Sequence, residues 1–128
     1  FLLLLELLAS MVDNRSISVL DLSHNLIGES EDYNTVHPAF VTGGEAIADF
    51  LTQNRTLREL DLSWNKVRKD TAMTLVRSFP QNDSLMVLKL AYNNIGDKAA
   101  QYLAHSLRVN HTLTSIDISY NNNFWFCM

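Results

Sequence analysis

Histidines, a single cysteine and a set of recurring acids are the side chains with which this 128-residue chain could do chemistry. His24, His37, His105 and His111 stand at spacings that match no zinc-binding pattern, and Cys127 has no second thiol with which to share a metal. The sequence holds no G-x-x-x-x-G-K-[ST] phosphate loop, no G-x-G-x-x-G and no G-x-S-x-G nucleophile elbow. Its 4 glycines are few for a tight phosphate cradle. What remains is carboxylate chemistry: Asp61 could pair with Asp21 or Asp117 as an acid–base couple. Acids at repeating surface positions are ordinarily just solvated. The chain therefore reads as non-catalytic, with no cofactor and no metal.

A second set of side chains suits contact rather than reaction, and it is tied to a repeat. Four stretches share one pattern: Ile17-x-x-Leu20-x-Leu22-x-x-Asn25-x-Ile27, Leu57-x-x-Leu60-x-Leu62-x-x-Asn65-x-Val67, Leu85-x-x-Leu88-x-Leu90-x-x-Asn93-x-Ile95 and Leu113-x-x-Ile116-x-Ile118-x-x-Asn121. The asparagines lie 40, 28 and 28 residues apart. One such stretch would mean little, but four in register define the architecture. Just before each asparagine stands a ring: His24, Trp64, Tyr92 and Tyr120.

The pattern resembles the leucine-rich repeat, and the 28-residue step resembles its ribonuclease-inhibitor-like subclass, as does the stretch Asn94-Ile95-Gly96-Asp97-Lys98-Ala99-Ala100-Gln101-Tyr102-Leu103-Ala104. That resemblance covers nearly the whole chain. It implies an α/β solenoid: a right-handed strand-helix coil with a concave parallel sheet of about four strands and helices on the convex side. The use it implies is protein recognition.

Elementary stereochemistry leads to the same elements independently. Alternate residues of a strand point the same way, so Leu60 and Leu62 face inward while Glu59, Asp61 and Ser63 face out. After each asparagine the apolar spacing becomes helical: Ala72, Leu75, Val76 and Phe79 share one face, as do Ala100, Leu103, Ala104 and Leu107. The same spacing puts Leu4, Leu7, Leu8 and Met11 on a helix face, so the leucine-rich start reads as the helix of a preceding repeat. It is too short for a membrane span and lacks the basic flank of a signal peptide. Asn25, Asn65, Asn93 and Asn121 should form a stacked ladder, because an amide can satisfy several backbone groups of a buried turn at once.

Asn14-Arg15-Ser16, Asn54-Arg55-Thr56, Asn82-Asp83-Ser84 and Asn110-His111-Thr112 match the glycosylation sequon. Each precedes a strand at the place where a helix must end. A structural role, with the asparagine in the left-handed conformation, is the expected reading.

The repeat divides the chain into one domain over 1–128: a partial repeat near 1–16, then 17–56 with an insertion at about 28–40, 57–84, 85–112, and a partial repeat 113–128. The insertion carries an acidic run and Tyr33, and is either a tolerated surface loop or a contact loop. Residues 1–64 hold 10 acids and 3 bases (net −7), and residues 65–128 hold 4 acids and 7 bases (net +3). This polarity could steer a partner or simply reflect solvated faces. The overall net charge of −4 disfavours nucleic acid. A lone cysteine favours a reducing compartment, hence the cytoplasm, with cytoskeletal or ciliary placement compatible. The Phe1 start, and the apolar stretches Leu2 to Leu5 and Phe124 to Phe126, lead one to expect a piece of a longer array, covered by further chain or by neighbouring subunits.

Stacking puts the outward positions into columns: Val19, Glu59, Val87, Ser115; then Asp21, Asp61, Lys89, Asp117; then Ser23, Ser63, Ala91, Ser119; then the rings. The expected partner-binding residues are His24, Trp64, Tyr92, Tyr120, Glu59, Asp61, Lys89, Asp117 and Tyr33. Tyr and Trp offer large contact area with few rotamers, although rings so placed could also merely pack on one another. The leading expectation is a protein–protein interaction module without nucleic-acid or membrane partners. Its alternatives are a structural segment of a large axonemal or cytoskeletal assembly and a regulator resembling GTPase-activating proteins.

Overall fold

Each repeat contributes a strand of only three residues, because its apolar alternation is short. A computed structural model describes residues 2–29 and 41–121. In chain order these form α1 (Leu2–Met11), β1 (Val19–Asp21), a 3-10 turn (Ile27–Glu29), α2 (Gly43–Gln53), β2 (Glu59–Asp61), α3 (Lys69–Ser78), a second 3-10 turn (Phe79–Gln81), β3 (Val87–Lys89), α4 (Gly96–Val109) and β4 (Ser115–Asp117). The strands lie in one parallel sheet in the order β1-β2-β3-β4, with Leu20, Leu60, Leu88 and Ile116 in register. The helices pack in the same sequence, each on the next. The result is a leucine-rich-repeat solenoid with a sheet on one wall and helices on the other.

Its core is the seam between those walls. Leu57, Leu60, Leu62, Leu85, Leu88 and Leu90 are sealed from solvent, as are Ala72, Leu75, Val76 and Phe79 from α3. Thr42 starts α2 with a capping box: its hydroxyl accepts from the Glu45 N–H, and the Glu45 carboxylate accepts from the Thr42 N–H. The sequence states this as Thr-x-x-Glu. No helix among the described residues is long and apolar enough to cross a membrane.

The outer helices depart from the sequence expectation. Only half of each predicted apolar face is covered. In α1, Leu8 and Met11 are buried against the next turn of the coil, but Leu7 is 42% exposed. In α4, Leu103 is buried as expected but in company with Ala99 and Ser106, and the Ser106 hydroxyl donates to the Val76 carbonyl of α3. Ala100 is half-buried, and Ala104 and Leu107 are exposed. A solenoid helix has two flanks, and spacing cannot say which has a neighbour. The flank of α3 that holds Ala72, Val76 and Phe79 is covered because α4 follows it. The matching flank of α4 is open among the described residues.

The asparagine ladder forms as expected. Asn93 accepts through Oδ1 from the Asn65 and Val67 N–H groups (both 3.0 Å), and donates through Nδ2 to the carbonyls of Leu62, Leu90 and Ala91. Asn65 does the same for the turn before it, accepting from Asn25 and Ile27 and donating to Leu22 and Ser63. Asn121 repeats the arrangement, accepting from Ile95 and donating to Leu90, Ile118 and Ser119. Asn25, on the first strand, donates only to its own turn, at Leu22 and Ser23.

A second ladder runs along the opposite ends of the strands, and it corrects the reading of the sequons. Asn54, Asn82 and Asn110 do not adopt the left-handed conformation. Their φ values are −73°, −97° and −73°, in extended backbone. Each accepts from the two N–H groups that open its own strand segment, as Asn82 does from Ser84 and Leu85. Each donates back into the preceding repeat: Asn54 to Met11 and Val12, Asn82 to Leu51, Asn110 to Phe79 and Asn82. All three are buried. Their job is hydrogen bonding, and left-handed tolerance is not what selects asparagine there.

Replacing Asn93 by Ala orphans two buried N–H groups and should lower stability by about 3 kcal/mol. Asn25→Ala, which strands no neighbouring repeat, should lower it by under about 1 kcal/mol. Urea midpoints check both, and equal losses would mean that the interrepeat bonds carry no weight. A Cβ at Gly28 would run into the Lys66 carbonyl. Gly28→Ala should therefore cost about 2 kcal/mol in the same titration, with no change expected if the turn can slide aside.

Candidate interaction surface

The ring column is built by backbone pairing that continues past the strands. The N–H groups of His24, Trp64 and Tyr92 donate to the carbonyls of Ser63, Ala91 and Ser119 in the next repeat, at 3.0, 3.0 and 3.1 Å. The chain then turns with the ring residue itself in the left-handed region: φ is 59° at His24, 60° at Trp64, 54° at Tyr92 and 54° at Tyr120. An L-residue with a Cβ there costs roughly 1–2 kcal/mol, and glycine or asparagine would relieve it. A ring nonetheless occupies the position in every repeat.

Neighbouring parallel strands stand ~4.8 Å apart, close to the spacing of stacked rings. Accordingly His24 and Trp64 stack at 5.4 Å, Trp64 and Tyr92 at 4.0 Å, and Tyr92 and Tyr120 at 4.2 Å, all within 13° of parallel. The rings do pack on one another. They also stay open to solvent: Trp64 is 47%, Tyr92 37% and Tyr120 70% exposed. Because the faces are used internally, the column presents mainly ring edges and hydroxyls outward. Desolvation, and then the hydrogen bond with Tyr120, raises the Tyr92 phenol above its ordinary pKa, so it remains protonated at neutral pH.

The acid column is also real, but its members differ from a catalytic couple. Asp21, Asp61 and Asp117 each accept the N–H of the serine two residues on, at 2.8, 2.9 and 2.9 Å, closing Asx turns that lead into the ring position. Lys89 takes the equivalent place on β3, between Asp61 and Asp117 in the sheet. Its ammonium sits 2.6 Å from Glu59 and 3.9 Å from Asp61, and the bond to Glu59 holds its pKa above the usual lysine value. The hydrogen bonds from Ser23 and Ser119 hold the Asp21 and Asp117 carboxyls below the usual carboxylate value. Both stay ionised at neutral pH, so neither is poised to release a proton as a general acid. No three His, Cys, Asp or Glu side chains gather where a metal ion could be held among the described residues.

The structure thus brings His24, Trp64, Tyr92 and Tyr120 together, and beside them Glu59, Asp61, Lys89 and Asp117. Tyr33 and residues 30–40 of the insertion, with Phe124 to Phe126 and Cys127, lie outside the described residues. Sequence reasoning missed one flank of the surface. Tyr92 borders a depression of about 410 Å³ lined also by Glu29, Lys66, Arg68, Asn93 and Asn94, in which Lys66 pairs with Glu29. Lys66 joins the left-handed set with φ 55°, a repeat-turn feature that spacing alone does not announce.

A family profile described as Leucine Rich repeat matches residues 53–76, 81–104 and 109–124. No curated protein sequence matches. Among solved structures the chain is similar to leiomodin-1 actin-binding site 2, with 15% identity over 92% of this chain and 61% of that one, at a TM-score of 0.72. It is also similar to the tropomodulin C-terminal domain of Caenorhabditis elegans, with 13% identity over 89% and 63%, at a TM-score of 0.70. The chain spans about three fifths of those two solved domains.

Because Asp21 and Asp117 have folded pKa values below the ordinary 3.8, their contribution to stability is present above that pH and is lost as pH falls through the depressed values. The acid limb of a stability–pH curve should therefore be shallower in Asp21→Asn/Asp117→Asn than in the parent chain. Superimposable acid limbs, read from urea midpoints between about pH 5 and 2, would count against the Asx-turn account.

Proposed function

Since the chain belongs to the leucine-rich-repeat family, a fold generally used for protein contact and not for catalysis, we propose that it is a protein-binding module of the ribonuclease-inhibitor-like subclass. The partner is received on the strand wall and along the ring column. One observation carries this: four exposed ring-bearing residues hold a left-handed turn that glycine or asparagine would fill at lower conformational cost. Strain kept at an exposed site in every repeat is the mark of a position chosen for what it touches. The 28-residue step and the strand-turn-helix unit support the subclass.

A second reading, a segment of a cytoskeletal assembly, draws on the likeness to a leiomodin-1 domain that is an actin-binding site. It shares the cytoplasmic setting of the first reading. No arrangement among the described residues favours an action on a GTPase.

Trp64→Ala and Tyr92→Ala should each weaken partner binding by ~2 kcal/mol while leaving a cooperative unfolding transition. The measurement is quantitative crosslinking and affinity capture with the parent chain, both ring variants and a helix-wall control such as Arg108→Ala. Partners held equally by all four proteins would sink the ring column as the contact. Co-sedimentation with filamentous actin separates the two readings, the cytoskeletal one requiring saturable binding.

A further inference from the structure

Resting on the reading of the strand wall as a contact surface, we propose that its partner presents an extended basic segment. This segment crosses the four strands at right angles and places two cationic side chains, four residues apart, on Asp21 and Asp117.

The charge on this wall is one-sided. Its outward positions carry Asp21, Glu59, Asp61 and Asp117 against Lys89. Lys89 is already committed, at 2.6 Å from Glu59 and 3.9 Å from Asp61. It also shows how an ammonium sits on this surface. Asp21 and Asp117 have no cation within ion-pair distance among the described residues, and both are exposed. In each, the carboxylate accepts both the N–H and the hydroxyl of the serine of its turn, and a carboxylate's remaining lone pairs can still accept from a ligand cation. Those two bonds fix where each carboxylate lies, so a ligand cation meets a prearranged acceptor and not a wandering side chain.

Spacing selects the ligand. β1 and β4 are three strand steps apart, or ~14 Å at ~4.8 Å per step. An extended chain advances ~3.4 Å per residue, so about four residues bridge the two acids. Side chains four apart in an extended chain point the same way, so both cations face the wall. A helical segment would need about nine residues for that span, at ~1.5 Å each. The crossing direction is also the direction of the ring stack, since both run from repeat to repeat. The segment therefore lies alongside the rings, where the hydrogen-bonded Tyr92–Tyr120 pair has one O–H left to donate to a backbone carbonyl. Arg suits the sites better than Lys, because its planar fork can bond a carboxylate and still reach a neighbouring serine.

The probe is a labelled Gly/Ser peptide carrying two arginines about four positions apart, titrated against the full chain by fluorescence anisotropy at low salt. Asp21→Asn/Asp117→Asn keeps an amide oxygen for each Asx turn and so preserves the fold. Binding should weaken about tenfold in this variant. It should weaken less than about twofold in Asp13→Asn/Asp49→Asn, which removes the same charge from the helix side. An isomer with adjacent arginines should bind about threefold more weakly. Equal loss in both double variants would show bulk attraction only, and equal binding of the two peptides would remove the spacing argument; either overturns the proposal. Self-association of the parent chain that the Asp21/Asp117 variant abolishes would overturn it too, by assigning the acids to a second copy. If the ring variants lose their native partner while the Asp21/Asp117 variant retains it, the contact surface stands and the basic-segment assignment falls.

Discussion

Everything in this molecule depends on how a coil that returns every 28 residues satisfies the backbone it must bury at its turns. The Asn65, Asn93 and Asn121 amides inside those turns are buried, and the strands are too short to absorb the turns' polar groups. The solution is a primary amide at each end of every strand. Asn54 and Asn65 bracket β2, and Asn82 and Asn93 bracket β3, eleven residues apart in each case. Each amide takes up two N–H groups and returns its own two hydrogens to carbonyls, some in the adjoining repeat. The leucines supply the apolar free energy of the seam, but leucines alone would leave the register free to slip. The two ladders prevent that.

The surface follows from the same fixed register. Once successive repeats are held at strand spacing, any flat side chain at one repeat position must stack on its neighbours. The rings therefore arrive ordered, with their entropy already lost before a partner is met. The aspartates serve twice, closing the turns that lead to the rings while staying on the exposed wall. Recognition is thus built into the same turns that hold the fold, and changes at Asp21 or Asp117 touch both.

Much of this was legible in the sequence. Leu60 and Leu62, the asparagine ladder and the ring column follow from period two and from stacking, which are local rules. Three kinds of fact did not follow. Burial on the outer helices depends on which flank has a neighbour, so Leu7, Ala104 and Leu107 carry the right spacing without the burial. Backbone conformation was misplaced: the left-handed residues are the rings, with Leu26 and Lys66, whereas the sequon asparagines are extended. The propensity of asparagine for that conformation was a sound general rule overridden by its hydrogen bonds. Contacts between repeats at unlike positions, such as Lys89 with Glu59 or Gly28 against Lys66, leave no periodic trace. The Thr42–Glu45 capping box was readable as Thr-x-x-Glu at the start of the helix that follows the insertion.

The second amide ladder has a bearing on where such a chain can be made. Asn54, Asn82 and Asn110 each head a triplet that glycosylating enzymes accept on an extended chain, and folding then buries the same amide nitrogen as a donor. Sugar attached there would stand where a neighbouring carbonyl must come. In a compartment that holds such enzymes, modification and folding would race for the same nitrogen, and a chain that lost the race could not close its coil. Synthesis away from those enzymes would remove the contest altogether, because the nitrogen that a sugar would occupy is the one that the coil needs in order to close.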